Sequence, residues 1–298
     1  MSDGTVPAAG GTGDRAAGPV TLRAHAKLTL GLRITGVRDD GYHLIDAEMV
    51  SLDLHDLVTL TPGGHGIDAS GPFCDGIPLD GTNLVARAVR LAGNVDDVGV
   101  HLHKLIPHGG GLGGGSTDAA TVLRWCGYGS TPSALEQASR LGADIPFCLV
   151  GGRARVRGIG ELVEPLDHVD RIVTLIIPPL GVSTPAAYRA WDDLGGPVAD
   201  GPNDLEPAAL VVEPELRRWR DRIADCVGTA PVLAGSGATW FVDGARANAL
   251  GGLVVEGARV VVARTVAMDV ATGIAAGVCH LVKSGGDVMS ACDAGGAC

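Results

Sequence analysis

IPHGGGLGGGSTDAA, residues Ile106–Ala120, has glycine at six of the seven positions from 109 to 115, with only Leu112 between them. Glycine loses more backbone freedom on folding than any other residue, so such a run weakens its element unless the bare backbone is itself needed. Upstream, Val98 to Ile106 alternates, with Val100 and Leu102 against His101 and His103, as in a half-buried strand. Downstream, Ser116 reads as a helix N-cap, Asp118 falls in the first turn and Gly127 closes the helix. The run therefore joins a strand to a helix N-terminus. There, successive glycine N–H groups can turn into one concavity, and the helix end adds unpaired N–H groups and roughly half a positive charge. The expectation is a phosphate cradle. The competing reading is a flexible linker, which would be Gly/Ser-rich and free of a clamping strand and helix.

A nucleotide P-loop needs Gly-Lys-Ser/Thr after the loop, and Gly115 is followed directly by Ser116. Gly109, Gly111 and Gly114 satisfy the dinucleotide pattern GxGxxG, as any glycine run does. The preceding strand alternates, whereas a central parallel strand is usually apolar throughout. A dinucleotide-binding oxidoreductase stays as a distant alternative.

The chain of 298 residues suggests two domains or one large one, and at 46% hydrophobic with 3% aromatic residues its core is aliphatic. A formal charge of −11 without a basic stretch argues against nucleic-acid and anionic-membrane partners. The only lysines are Lys27, Lys104 and Lys283, which suggests positions that need a compact charge. Seven cysteines without a CxxC pair read as reduced thiols in a cytoplasmic protein. No apolar run reaches membrane-spanning length. Residues 1–19 lack the apolar segment of a secretory signal and are expected to be a disordered lead, with 284–298 a loose tail.

From Val20 to Ile34 the apolar residues occupy every second position, which predicts a half-buried strand with His25, Lys27 and Thr29 on one face. On that pattern alone the face is solvated. Thr82 or Asn83 caps a helix through Leu91, Thr131-Pro132 opens another, and Ala143–Pro146 is a short loop. A strand at Arg171–Ile177 and a helix from Thr184-Pro185 through Trp191 come next. They are followed by a helix over Glu213–Val227 and a segment Val232–Val242 with Gly235-Ser236-Gly237 between apolar arms. A helix and strand over Ala245–Val254 and Arg259–Val266 end the pattern. Mixed elements with antiparallel character predict an α+β fold, with a domain break between Gly160 and Arg171, giving domains 20–165 and 166–283.

Three stretches in order resemble the motifs of the GHMP small-molecule kinases: Ala26-Lys-Leu-Thr-Leu30, the glycine loop from Pro107, and Leu233-Ala-Gly-Ser-Gly-Ala238. Asp40-Gly-Tyr-His43, Thr82-Asn-Leu84, Gly142-Ala-Asp-Ile-Pro146, Gly158-Ile-Gly-Glu161, Gly181-Val-Ser-Thr184 and Asn203-Asp-Leu-Glu206 narrow the resemblance to the 4-diphosphocytidyl-2-C-methyl-D-erythritol kinases. It covers Val20 to Val266.

The resemblance implies a ribosomal-S5-like ATP-binding domain followed by a ferredoxin-like domain. It implies a cytoplasmic enzyme, a monomer or homodimer, that transfers the ATP γ-phosphate to the 2-hydroxyl of a cytidyl diphosphate ester in the non-mevalonate isoprenoid pathway. ATP and Mg²⁺ are the implied cofactors, with the metal ligands unknown. Another GHMP kinase, acting on homoserine, mevalonate or a sugar, and an ATP-binding protein without turnover stay as alternatives.

By the same resemblance Asp144 is the base and Lys27 its charged neighbour. Asn83, Leu84, Lys104, Pro107, Gly109, Gly110, Gly111, Leu112, Gly113, Gly114, Gly115, Ser116 and Thr117 face ATP. Thr29, Tyr42, His43, Ser183, Thr184, Gly235, Ser236 and Gly237 face the acceptor, with Tyr42 stacked on cytosine. Three residues depart from the family pattern: His25 where proline is usual, Thr29 for asparagine, and Ala234 for serine or threonine.

Overall fold

β1 (Val20–Val37) and β2 (His43–Pro62) pair antiparallel along their whole length and form the spine of the first sheet. The opposite edge of β2 is divided among three partners. β5 (Arg153–Gly158) takes residues 45–50, the segment 264–266 reaches Ser51–Asp53, and β4 (Val98–His103) takes 57–62. β3 (Ile67–Ser70) adds a parallel edge beside β4, and β6 (Leu162–Leu166) an antiparallel one beside β5. α1 (Leu84–Leu91), α2 (Gly114–Trp125), α3 (Pro132–Ser139) and α4 (Ile145–Val150) complete this half. The computed structural model describes residues 18–93 and 98–268, and the backbone alone of 280–282 and 288–290. The expected disordered lead through residue 17 and most of the expected loose tail lie outside the described residues.

The second sheet is built from β7 (Ile172–Ile177), β8 (Val232–Leu233), β9 (Trp240–Asp243) and β10 (Arg259–Arg264). Their spatial order is β10-β7-β9-β8, all antiparallel. α5 (Thr184–Asp193), α6 (Glu206–Val212) and α7 (Glu215–Val227) lie between β7 and β8. A 3-10 turn at Ala247–Leu250 and α8 (Gly251–Val255) lie between β9 and β10. This is the split β-α-β arrangement of a ferredoxin-like fold. The backbone of β11 (His280–Val282) and β12 (Val288–Ser290) extends the β10 edge.

The packing is layered. Ala26, Leu28, Leu52 and Leu54 of the first sheet meet Val173, Leu175, Phe241 and Val261 of the second in one apolar cluster. The outer face of the first sheet packs on α1–α4, and that of the second on α6–α8. Both faces of β1 are therefore covered, which corrects the expectation of a solvated His25-Lys27-Thr29 face: all three are buried. The alternation is also not continuous. Register shifts between His25 and Lys27 and between Thr29 and Gly31 re-aim the strand. Ala24 and Leu32 pack toward the helices, whereas Ala26 and Leu28, of the same parity, pack toward the second sheet.

Three local readings need correction. The loop expected over Ala143–Pro146 covers only Ala143 and Asp144: Ile145 and Pro146 already form the first turn of α4, where the proline's missing N–H costs nothing. Helix α2 is entered through Gly113 in the left-handed region (φ 70°), so the cap position is three residues before Ser116 and carries no side-chain bond. That shift takes Asp118 out of the first turn of α2. The β5–β6 hairpin and α6 were not anticipated. Arg153, Arg155 and Arg157 alternating with buried Ala154 and Val156 were the available signal for β5.

His25, 5% exposed, bonds Leu52 O through Nδ1 at 2.7 Å, while its buried Nε2 has no partner among the described residues. Burial pulls this imidazole down to about 4. Its folded value lies below the ordinary 6.5, so the unfolded chain binds the proton more readily between those values. Stability is then full above pH 6.5 and falls as pH drops toward 4. We expect the wild type to lose about 2.5 kcal/mol between pH 7.5 and 4.5 through this group. Urea unfolding of wild type and His25→Leu at both values checks this: wild type should lose about 2.5 kcal/mol relative to the variant at acid pH, and a pH-independent difference would remove His25 as the cause.

Candidate active site

The glycine run leaves β4 and enters α2 across the mouth of a cleft of about 380 Å³. The cleft is lined by Pro78, Asn83, Leu84, Lys104, Pro107 and most of the loop from Gly109 to Ser116. β1 anchors the loop, since Lys27 N–H donates to Leu112 O at 3.0 Å. Asp56 braces its start, accepting from Leu105 and Ile106 N–H at 2.5 and 2.8 Å. Lys104 is buried and donates to both Asp56 and Asp118. Burial, then the Asp56 charge, pushes the Asp118 carboxyl up. Sequence reasoning missed this three-residue brace because its members come from β2, the end of β4 and α2.

A second cleft of about 210 Å³ adjoins the first, and the two share Gly111 and Ser116 in their walls. Lys27, Thr29, His43, Asp144, Thr184, Tyr188, Gly235 and Ser236 line it. Lys27 Nζ lies 3.4 Å from Asp144 Oδ2 and 3.3 Å from Thr29 Oγ1. The lysine is nearly enclosed, whereas the Asp144 side chain is 32% exposed and so open to a ligand. Asp144 precedes α4 without capping it by its side chain, so its carboxylate is engaged with Lys27 and the cleft instead of the helix end. The neighbouring turn at Gly160 approaches the backbone before Asp144 so closely that only glycine fits: a Cβ there would stand 2.2 Å from Ala143 O. Cys148, also nearby, is inert, its thiol pushed up to about 12 by burial and then by the Asp144 charge.

Several expected residues stand differently. Asn83 lines the first cleft, but its amide is committed to the backbone, accepting from Val85 N–H and donating to Pro78 O. Gly110 turns toward Thr239 instead of the cleft, and Thr117 is buried in α2 outside both clefts. Ser183 is exposed at the cap position of α5 with no side-chain cap bond, so Thr184 is the first helical residue and bonds Ser236 Oγ at 2.7 Å. Gly237 backs the glycine loop, its carbonyl lying beside Gly111.

Tyr42 is 60% exposed and lines a separate cavity with Arg38, Pro132 and Leu162. Its neighbour His43 enters the second cleft and packs on Tyr188, with ring centroids 4.6 Å apart, and bonds Asp192 at 2.8 Å. Tyr188 is the aromatic that sequence reasoning did not find. Burial, then the Asp144 charge, pushes its phenol up to about 12, so it stays a hydrogen-bond donor.

No described helix is long and apolar enough to cross a membrane. Residues 83–152 match the model of the GHMP kinase N-terminal domain. The chain is 37% identical to 4-diphosphocytidyl-2-C-methyl-D-erythritol kinase of Paracoccus denitrificans over 73% of its length and 84% of that protein. For the protein of the same name from Streptomyces coelicolor the identity is 36%, over 74% and 86%. A crystal structure of 4-(cytidine 5'-diphospho)-2C-methyl-D-erythritol kinase superposes with a TM-score of 0.67 at 32% identity, covering 83% of this chain and 99% of that one. The crystal structure of L. major mevalonate kinase in complex with R-mevalonate shares the fold at 13% identity, with a TM-score of 0.58 over 85% and 98% of the two chains. With two sheets, a glycine loop and a lysine–aspartate pair arranged as described, and with relatives matched over most of their length, the chain belongs to the 4-diphosphocytidyl-2-C-methyl-D-erythritol kinases, a branch of the ATP-dependent GHMP kinases.

Proposed function

We propose that this kinase phosphorylates the 2-hydroxyl of 4-diphosphocytidyl-2-C-methyl-D-erythritol, with Asp144 as base and Lys27 as its electrostatic partner. The observation that carries the reading is the junction of the two clefts at Gly111 and Ser116, with the Lys27–Asp144 pair on the acceptor side. ATP lies in the larger cleft, its phosphates over the N–H groups of the loop and the α2 N-terminus. The acceptor hydroxyl approaches Asp144 from the smaller cleft. As its oxygen bonds to the γ-phosphorus, its proton passes to the Asp144 carboxylate, the bond to the β-phosphate oxygen breaks and ADP leaves. Lys27 stabilises the charge that develops on the transferred group.

Mg²⁺ is proposed to travel with the ATP phosphates. Among the described residues no group of three His, Cys, Asp or Glu side chains is arranged to hold an ion. This suits a metal that keeps phosphate and water ligands, with the Ser116 hydroxyl at the junction as a protein oxygen. When bound, the ion neutralises charge on the transferred phosphoryl group.

The cytosine is proposed to lie against Tyr188 and His43, where stacking contributes ~1–3 kcal/mol. Tyr188→Ala should raise the acceptor KM by about 5- to 150-fold, and more than Tyr42→Ala does. A larger rise at Tyr42 would move the base to the exposed turn instead. The function itself is tested by ADP release from ATP and Mg²⁺ with the cytidyl ester, mevalonate, homoserine or galactose as acceptor. Release with the cytidyl ester alone is expected. Release with another acceptor alone would assign the chain to that alcohol, and silence with all four would point to an ATP-binding protein carrying the Thr29 and Ala234 departures.

A further inference from the structure

Asn203 belongs to a stretch, Asn203-Asp-Leu-Glu206, whose residues take no part in the chemistry above. It is 1% exposed and every polar atom of its side chain is engaged. Its Nδ2 donates to two carbonyls of one turn, Leu233 O at 2.9 Å and Gly235 O at 2.7 Å. Its Oδ1 accepts from Leu205 N–H at 3.0 Å, at the entry to α6. The backbone around it runs beside β1: Leu32 N–H donates to Pro202 O and Asp204 N–H to Leu32 O, both at 2.9 Å. The segment thus behaves as a one-residue parallel strand on the first sheet while its side chain grips a turn of the second domain.

That turn, the stretch Leu233–Ala238 that begins at the last residue of β8, touches both halves of the site. A Cβ at Gly111 of the phosphate loop would stand 2.9 Å from Ala234 O and from Gly237 O. A Cβ at Gly235 would lie 3.7 Å from Thr29 Oγ1 and 3.8 Å from Lys27 Nζ. Ser236 bonds Thr184 across the acceptor cleft. The turn contains three glycine or serine residues in a row and has few side chains to hold itself. Its place between donor and acceptor is set from outside, and among the described side chains Asn203 is the one shown gripping two of its carbonyls at once.

We infer that Asn203 is a positioning residue for phosphoryl transfer, locking the Gly235-Ser236-Gly237 turn to β1 so that the phosphate loop and the Lys27–Asp144 pair hold a fixed separation; this rests on the kinase reading above. Misplacing reacting groups by an ångström costs on the order of 100-fold in rate, so the expected signature is a fall in kcat with little change in ATP affinity.

Asn203→Asp separates the two tasks of the side chain. The carboxylate keeps the acceptor for Leu205 N–H and loses the donor to Leu233 and Gly235. Asp204→Asn serves as the structural control. Asp204 holds Arg33 at 2.6 Å and the N–H groups of Ile34 and Ala199 at 3.0 Å, and touches no part of the turn. Both variants should melt below wild type. At a temperature where both are folded, Asn203→Asp should lose about 10- to 100-fold in kcat with the KM for ATP within about threefold, and Asp204→Asn should keep its kcat. Hydrogen exchange should quicken at Ala234, Gly237 and Thr239 in Asn203→Asp and stay unchanged at Leu205.

Wild-type kcat in Asn203→Asp, or equal losses in the two variants, would overturn the inference. Unchanged exchange in the turn would overturn it as well, even with kcat reduced. Silence of the wild type with every acceptor would instead defeat the kinase reading, and the positioning role with it.

Discussion

Asp144→Asn should lower kcat by about 100- to 10,000-fold while ATP binds within about threefold of wild type. The amide keeps the shape of the carboxylate and cannot take the proton of the acceptor hydroxyl. The loss should appear in kcat because the carboxylate lines the smaller cleft, proposed for the acceptor, and is absent from the wall of the larger one, proposed for ATP. Stability should change little, since Asp144 makes no side-chain cap to α4 and its side chain is one-third exposed. The Lys27 ammonium loses its 3.4 Å partner, so a minor rise in the acceptor KM is also expected. Steady-state kinetics with a nucleotide-binding titration checks this. Near-normal turnover in the variant would remove Asp144 from the mechanism.

Gly111→Ala should lower kcat/KM by about 100-fold, through both substrates. Gly111 lies in the left-handed region at φ 74°, which costs a residue with a Cβ ~1–2 kcal/mol. Its methyl would also meet two backbone carbonyls, Ala234 O and Gly237 O, each at 2.9 Å, and neither can rotate away. The phosphate loop and the third glycine turn must then move apart at the point where the two clefts meet. Gly109→Ala is the matched comparison. Its φ of 73° carries the same conformational cost, and nothing stands within 4 Å of the added methyl. Kinetics and thermal melting of the pair separate the two causes: equal losses would assign the effect to backbone strain, and a loss confined to Gly111 would assign it to crowding.

The site was legible where its chemistry is local in the chain. The glycine loop, Lys27 and Asp144 sit in short stretches whose residue types suit the roles proposed for them, and the structure brings Lys27 and Asp144 into contact. Spacing likewise gave a mixed α+β pattern for the second half, whereas its ferredoxin-like arrangement was implied only by the family resemblance. What stayed hidden depends on distant partners. Tyr188 meets His43 across more than a hundred residues, and nothing near Tyr188 marks it apart from an amphipathic helix. Tyr42 adjoins His43 in sequence, but β2 begins at His43, so Tyr42 stays in the exposed turn while His43 enters the cleft.

The burial of Lys104 also escaped the sequence, because an alternating strand end looks exposed until Asp56 and Asp118 are brought in from other elements. Ser116 had the chemistry of a cap, yet Gly113 occupies the position. The close approach of Lys27 to that residue leaves no room for a side chain, with a Cβ falling 2.7 Å from Lys27 Cγ. The bulges of β1 were invisible for a related reason: a register shift changes the partner strand's alignment and leaves the alternation of residue types intact.

The measurement that bears most directly on the account is transfer of label from γ-labelled ATP, with the cytidyl ester as acceptor, comparing wild type with Asp144→Asn. The account predicts that wild type places the label on the methylerythritol unit as one phosphate monoester, and that the variant, though it binds ATP, leaves the ester unlabelled. Label released only as free phosphate by wild type, or transferred equally well by the variant, would contradict it.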